Sequence, residues 1–144
     1  MSHRFIFLSE EFYRDYPQEQ YVELEVKRDR PYIHLCVMIN GIWFAVPLRS
    51  HISHRYALWT DRVNRCGADL TKAVVISKAE YIDTLRKPHI RQAEYKELLG
   101  KEHLLAKKME DYVSKYKRAR QRGNPRDALL CRYSTLQYFE EFIM

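Results

Sequence analysis

The residues best suited to chemistry lie in one short stretch, residues 49–56, which reads Arg-Ser-His-Ile-Ser-His-Arg-Tyr. It supplies two imidazoles, two guanidiniums and two serine hydroxyls. Cleavage of a phosphodiester without a metal needs a base, an acid and fixed positive charge for the developing phosphorane. Histidine serves as acid or base near neutral pH, and arginine holds phosphate oxygens through two hydrogen bonds. The stretch therefore contains all three ingredients of this reaction.

The simpler interpretation is a solvated polar loop whose histidines hydrogen-bond to the backbone. A metal site is disfavoured, because His51 and His54 lack the helix, the glutamate and the third ligand of known zinc motifs. Cys36, Cys66 and Cys131 form no Cys-x-x-Cys pair and fit reduced thiols. None of the four glycines belongs to a phosphate-binding or dinucleotide-binding pattern. We therefore expect neither a metal nor a cofactor.

The charge of the chain favours a polyanionic partner. Its 144 residues carry a formal net charge of +6, and residues 115–126 hold six basic side chains and no acidic one. That run suits either a nucleic-acid backbone or the negative end of a helix dipole. Tyr32, Tyr56, Trp59 and Tyr133 can stack on unpaired bases or fill the edge of the core. No apolar run reaches the roughly 18 to 20 residues of a membrane span, so we expect a cytoplasmic protein without a membrane partner.

Two strand-like segments precede these polar residues and give the strongest structural signal in the sequence. Residues 32–39 and 42–46 are rich in β-branched and aromatic side chains and flank an Asn-Gly pair at 40–41. Asn-Gly favours a type I′ turn, because both central residues of that turn need positive φ. We therefore predict an antiparallel hairpin that ends at Pro47, followed by a surface loop over residues 48–62.

The second half of the chain is predicted to be helical. After a buried strand at 72–76, apolar residues recur every three or four positions from 88 to 122, with Gly100 as a candidate interruption. The sequence Gly-Asn-Pro at 123–125 ends this pattern, and residues 134–137 form a capping box for a terminal helix. Strands followed by helices predict one α+β domain that spans the whole chain.

Residues 41–54 read Gly-Ile-Trp-Phe-Ala-Val-Pro-Leu-Arg-Ser-His-Ile-Ser-His, so the hairpin strand ends in a Pro-Leu-x-Ser element. This pattern resembles the toxins of type III toxin–antitoxin systems, in particular the TenpN branch related to ToxN, CptN and AbiQ. Three further segments match in order: an opening strand and helix at 5–13, a Gly-x-x-x-x-Lys strand at 66–76 and a C-terminal signature at 131–136. Arg30 stands where a basic residue precedes the hairpin.

The resemblance implies a Kid/MazF-like antiparallel β-barrel core elaborated with helices. It also implies a metal-independent endoribonuclease that cuts single-stranded messenger RNA and leaves 2′,3′-cyclic phosphate and 5′-hydroxyl ends. Such toxins act in phage defence and are inhibited by direct binding of a small non-coding antitoxin RNA, a repeat that folds as a pseudoknot. The resemblance therefore implies an RNA-mediated hetero-oligomer, with no cofactor.

The resemblance also implies roles for individual residues. Ser50 would be the hydroxyl that touches the scissile phosphate, Arg30 would supply positive charge to that phosphate, and Lys72 would reach the same groove. ToxN-like members have a small hydroxyl residue before the serine and a lysine after it, whereas this chain has Arg49 and His51 there.

Physical chemistry favours Arg49 for transition-state charge and His51 as general acid or base, and leaves His54 as the partner of His51 or as an RNA contact. The assignment of acid and base stays open. The RNA-binding surface is expected to include these residues: His54, Arg55, Tyr56, Trp59, Lys72, Lys115, Arg118 and Arg122. Two other classes of function remain, a non-catalytic RNA-binding module and a protein-interaction domain with incidental charge. Backbone binding alone needs charge but no pair of titrating groups, so the two histidines favour the enzyme.

Overall fold

A computed structural model describes residues 4–24 and 31–144, and within them the chain forms six β-strands and five α-helices. The strands are β1 (Arg4–Ile6), β2 (His34–Ile39), β3 (Ile42–Arg49), β4 (Ala57–Asp61), β5 (Cys66–Asp69) and β6 (Val74–Val75). The helices are α1 (Glu10–Asp15), α2 (Gln92–Leu98), α3 (Glu102–Arg122), α4 (Pro125–Tyr133) and α5 (Glu140–Ile143). The α+β class is confirmed.

The hairpin of β2 and β3 forms as predicted. Asn40 and Gly41 have φ values of 50° and 79°, and six residue pairs join the strands, from His34 opposite Pro47 to Ile39 opposite Ile42. The prediction that the strand ends at Pro47 is wrong, since β3 continues to Arg49. Beyond the proline β3 turns to a new partner, and Leu48 and Arg49 pair with β5. A proline is tolerated at this point because its missing N–H lies where the pairing of β3 changes from β2 to β5.

The sheet is antiparallel and open. Its strand order is β1-β2-β3-β5-β4, with β6 also paired to β3, and among the described residues β1 and β4 each pair with a single neighbouring strand. The resemblance implied a closed barrel, and the structure differs from it in this respect. The edge strands β1 and β4 lie at opposite ends of the strand order, so the sheet does not close on itself.

Helix α3 packs against β2 and β4 and supplies much of the core. Its buried residues follow the predicted spacing: Leu105, Met109, Tyr112, Tyr116 and Ala119. Gly100, with a φ of 74°, separates α2 from α3 as predicted, and Gly123 ends α3 in the left-handed conformation that favours glycine. None of the helices in the described ranges is long and apolar enough to cross a membrane.

Helix α4 is absent from the sequence-based expectation. The sequence Gly-Asn-Pro at 123–125 stops α3, but it also starts α4, because the side chain of Asn124 accepts a hydrogen bond from the Asp127 N–H and Pro125 occupies the first turn. After α4, Ser134 caps a 3₁₀ turn at Thr135–Tyr138, and α5 follows it. The predicted terminal helix is thus divided into two short pieces.

His34 begins β2 and is one of the few polar residues in the core. It is 4% exposed, and its Nδ1 lies 3.0 Å from the carbonyl oxygen of Tyr32. Burial lowers the pKa of His34 to about 4, although its hydrogen bond to Tyr32 favours the charged form. The imidazole is therefore neutral in the folded protein at neutral pH.

We expect His34 to make the free energy of unfolding fall by about 2 kcal/mol between pH 7 and pH 5. The unfolded chain binds a proton at this residue below about pH 6.5, whereas the folded protein does so only near pH 4. The contribution of neutral His34 to the free energy of unfolding is therefore fully present above the pKa of the unfolded chain, about 6.5. It is lost as the pH falls towards the pKa of the folded protein, about 4. Urea unfolding at both pH values measures the effect. His34→Gln should flatten the pH dependence, and His103→Gln, an exposed site on α3, should leave it unchanged; the same slope in wild type and His34→Gln would contradict the assignment.

Candidate active site

A cleft of about 630 Å³ lies where β3 and β5 end. The loop over residues 50–56, the 3₁₀ turn at Leu70–Lys72 and α4 all contribute to its lining. The lining includes these residues singled out in the sequence: Arg49, His51, His54, Tyr56, Lys72 and Tyr133. The elements that converge here lie far apart in the sequence.

The centre of the cleft is a fully buried carboxylate, that of Asp69 at the end of β5. Its Oδ2 accepts a hydrogen bond from Arg49 Nη1 at 2.8 Å. Its Oδ1 accepts from the Thr71 backbone N–H at 3.0 Å and from the Thr71 hydroxyl at 2.6 Å, and it lies 3.0 Å from His54 Nε2. Both carboxylate oxygens are thus hydrogen-bonded, as a buried charge requires.

Burial alone would raise the pKa of Asp69, but the hydrogen bonds from His54, Thr71 and Arg49 outweigh it and hold the pKa below its ordinary value. Asp69 is therefore ionised at neutral pH and is the counter-ion of Arg49. This ion pair fixes the guanidinium at the cleft wall, where it is 18% exposed.

The tautomer of His54 follows from its two hydrogen bonds. Its Nδ1 accepts from the backbone N–H of Tyr56 at 3.0 Å, so this nitrogen carries no proton. The proton of the neutral ring is then on Nε2, which donates to Asp69 and lies 3.2 Å from the Thr71 hydroxyl. Both nitrogens are thus engaged within the protein, so His54 acts as a positioning residue in this conformation.

His51 differs from His54 in every one of these respects. It is exposed at the cleft, and within residues 4–24 and 31–144 its imidazole has no hydrogen-bond partner. Its φ of 56° lies in the left-handed region, which costs a residue other than glycine about 1 kcal/mol. Such strained residues persist where their surroundings hold them, often at functional sites. Of the two histidines, His51 is the one whose imidazole is placed to contact a ligand.

Arg65 holds the loop that carries both histidines, and sequence analysis gave it no role. Its guanidinium donates to the carbonyl oxygens of Ile52 and, at 2.7 Å, of His54. The Ile52 N–H donates in return to the carbonyl of Arg65 at 3.0 Å, and the Ile52 side chain is buried. These contacts rigidify the loop around His51.

Lys72 lines the cleft and is paired with an acidic residue. Its Nζ is 3.0 Å from Glu23 Oε2 and 3.3 Å from the carbonyl oxygen of Tyr133, the last residue of α4. Next to it, the hydroxyl of Thr135 donates to the backbone carbonyls of Thr71 and Ala73. The matched segments 66–76 and 131–136 therefore lie side by side at the cleft.

The remaining predicted residues lie at or beyond the rim. Ser50 is exposed between Arg49 and His51, but it is not part of the cleft lining. The Arg55 guanidinium and the Lys115 ammonium lie 5.3 Å and 5.8 Å from the ring centroid of Tyr56, at the edge of the cleft.

Like Arg55 and Lys115, three further predicted RNA contacts lie outside the lining. Trp59 is on β4, where the guanidinium of Arg65 covers its ring at 4.7 Å. Arg118 and Arg122 are exposed on α3. Arg30, a predicted phosphate contact, falls outside the described residues.

Sequence reasoning missed Asp69, Thr71 and Glu23, all of which line the cleft together with Arg126 from the basic run 115–126. A signal for Asp69 was present, because a lone carboxylate in the apolar segment 67–70 has to be paired when that segment is buried. Its partners lie 20 and 15 residues earlier, and no local pattern identifies them.

The cysteines contribute no nucleophile to this cleft. Cys36, Cys66 and Cys131 are free, and burial raises the pKa of each thiol. The thiolate is the reactive form, so all three are poor nucleophiles at neutral pH. Among the described residues, no group of three or more His, Cys, Asp or Glu could hold a metal ion.

No family model, no curated protein and no solved structure matches this chain.

Asp69→Asn is expected to lower the free energy of unfolding at pH 7 by about 3–5 kcal/mol, because the change removes the buried charge to which Arg49, His54 and Thr71 donate. The depressed pKa of Asp69 means that its contribution is present above about pH 3.9 and is lost as the pH falls through the folded pKa. Wild type should therefore lose stability between pH 4 and pH 2 more steeply than the variant.

Chemical unfolding at pH 7, 4 and 2 measures both effects. Asp111→Asn is the matched control, since Asp111 forms only an exposed ion pair with Lys107 and should change stability by less than about 1 kcal/mol. Equal stability of the two variants at pH 7 would show that Asp69 does not hold the cleft together.

Proposed function

We propose that this chain is a metal-independent endoribonuclease that cleaves single-stranded RNA to 2′,3′-cyclic phosphate and 5′-hydroxyl ends. The observation that carries the proposal is the arrangement of His51 and Arg49. The His51 imidazole, which has no hydrogen-bond partner in the described part of the chain, lies in the cleft two residues from a guanidinium whose position a buried carboxylate fixes. These are a proton-transfer group and a phosphate-binding charge, the two requirements of the reaction.

In the proposed reaction a base takes the proton of a ribose 2′-hydroxyl, and the 2′-oxygen attacks the adjacent phosphorus. The bond from phosphorus to the 5′-oxygen breaks as an acid protonates that oxygen, and the cyclic phosphate remains. Arg49 stabilises the extra negative charge of the phosphorane. His51 performs one of the two proton transfers.

The alternative of a plain polar loop explains one histidine and not the other. His54 satisfies both ring nitrogens within the protein, as a structural histidine does. Among the described residues His51 has a partner for neither nitrogen, and its backbone is in the strained left-handed region. The proposal therefore assigns the chemistry to His51 and a positioning role to His54.

The proposal extends to a toxin of a type III toxin–antitoxin system. It is supported by the resemblance and by the way in which the matched segments 41–54, 66–76 and 131–136 converge on one cleft. In this proposal the open sheet is a variant of the Kid/MazF-type core, and the substrates are cytoplasmic messenger RNAs. A small repeat antitoxin RNA would cover the cleft and its basic rim, Arg55, Lys115 and Arg126, and would organise the protein into a hetero-oligomer.

His51→Ala is expected to lower the rate of RNA cleavage by about 10²- to 10⁴-fold, with little change in RNA affinity, because it removes a proton-transfer group and no fixed charge. The assay incubates purified protein with a defined single-stranded RNA in EDTA and identifies the product ends by mass spectrometry. His103→Ala, at an exposed position outside the cleft lining, is the matched control. Cleavage at the wild-type rate by His51→Ala would remove His51 from the mechanism. RNA that wild type binds but leaves intact would favour the non-catalytic binding module.

Glu23→Gln is expected to tighten RNA binding by roughly 3- to 10-fold at low salt, because it removes the carboxylate that competes with a phosphate for Lys72. The gain should shrink as salt is added. Glu110→Gln on the exposed face of α3 makes the same change in net charge at a distance from the cleft. Equal affinities for the two variants would mean that Lys72 does not contact RNA phosphate.

A further inference from the structure

Helix α4 presents an unusual face to the cleft. Arg126, Leu129, Leu130 and Tyr133 all line it, and their spacing of three, four and seven residues places them on one side of the helix. No residue of α4 is buried, and Leu129 and Tyr133 remain 61% and 50% exposed. Leu130 packs partly against the core, whereas the exposed side chains of Leu129 and Tyr133 are left available to a ligand.

We infer that this face of α4 is a nucleobase subsite, in which one unpaired base of the bound RNA packs against Tyr133 and Leu129. The inference rests on the proposed function and names a part of the substrate that the catalytic residues do not contact. It places the sugar-phosphate backbone along one wall of the cleft and a base on the other.

The position of Tyr133 relative to the phosphate-binding groups supports this assignment. Lys72 Nζ lies 3.3 Å from the Tyr133 carbonyl oxygen. A phosphate bound at Lys72 would therefore lie next to Tyr133. The next residue is fixed as well, because the buried Tyr112 hydroxyl lies 2.8 Å from Ser134 Oγ. The aromatic side chain is therefore exposed, but its backbone is anchored.

The chemistry of the cleft matches a nucleotide. Arg49 and Lys72 suit the phosphate, and an aromatic ring with an adjacent leucine suits the flat, apolar faces of a base. Arg126 at the start of α4 and Arg132, whose guanidinium lies 5.5 Å from the Tyr133 ring centroid, add positive charge around that apolar face. A volume of about 630 Å³ is within the ordinary range for a ligand of this size.

The subsite would discriminate against double-stranded RNA. In a duplex both faces of each base are stacked on neighbours, so a base can reach Tyr133 only when it is unpaired and turned out. This accounts physically for a preference for single strands, which phosphate contacts alone would not provide, because phosphates are present in both forms.

The test is a cycle of binding measurements with a 2′-fluoro RNA oligonucleotide, which keeps the phosphates and bases but lacks the nucleophile. A single abasic residue is moved along the oligonucleotide, and the dissociation constant is measured for wild type and Tyr133→Ala. For wild type we expect a loss on the order of 10-fold at one abasic position. Tyr133→Ala should show a similar loss on the intact RNA and no further loss at that abasic position. Tyr133→Phe should bind as wild type does, and the salt dependence should be the same for all three proteins.

Two controls make the outcomes distinct. Tyr95→Ala removes an exposed tyrosine from α2, outside the cleft lining, and should bind normally, while thermal unfolding checks that Tyr133→Ala is folded. If wild type cleaves ordinary RNA but neither the abasic scan nor Tyr133→Ala changes affinity, the subsite is overturned and the proposed enzyme stands. If no RNA binds at any salt concentration, the proposed function fails and the subsite fails with it.

Discussion

The candidate site depends on one constraint, the ionised carboxylate of Asp69 with no access to solvent. A buried charge is tolerated only when donors surround it, and the donors here come from three segments of the chain. Arg49 comes from the end of β3, His54 from the loop that follows, and Thr71 from the turn after β5. The single carboxylate thus determines where the guanidinium points, which tautomer His54 adopts and how closely the turn approaches the loop.

Around this centre, polar contacts and hydrophobic packing have separate roles. Apolar and aromatic side chains of β2, β3 and α3 hold the two halves of the molecule together. The cleft is shaped by hydrogen bonds between segments, such as those from Arg65 to the loop carbonyls and from Thr135 to the turn. These bonds are directional, so they fix side-chain positions that packing alone would leave adjustable. Within the described ranges, His51 has no such partner, although the loop on either side of it is held through Arg49, Ile52 and His54.

The parts of the fold that local sequence determines were predictable. The Asn-Gly turn needs only positive φ at two residues, and the apolar spacing of α3 needs only one face to bury, so both are visible in the sequence. The continuation of β3 through Pro47 was not, because it depends on a second strand that takes over the pairing. The cluster of Arg49, His51 and His54 was visible as residue types. The contrast between the two histidines was not, because it depends on Asp69, a residue distant in the sequence.

The way in which β3 changes partners also has a consequence for the order of folding. The β2–β3 hairpin is closed by adjacent residues, so it belongs to the local contacts that form on the microsecond scale. The β3–β5 pairing that brings Asp69 to Arg49 closes a longer loop, and contacts from residues 133–135 close one that is longer again. A chain that has collapsed around its hairpin therefore still lacks an assembled cleft. For a growing polypeptide, this delays any activity of the cleft until residues 133–135 have been synthesised.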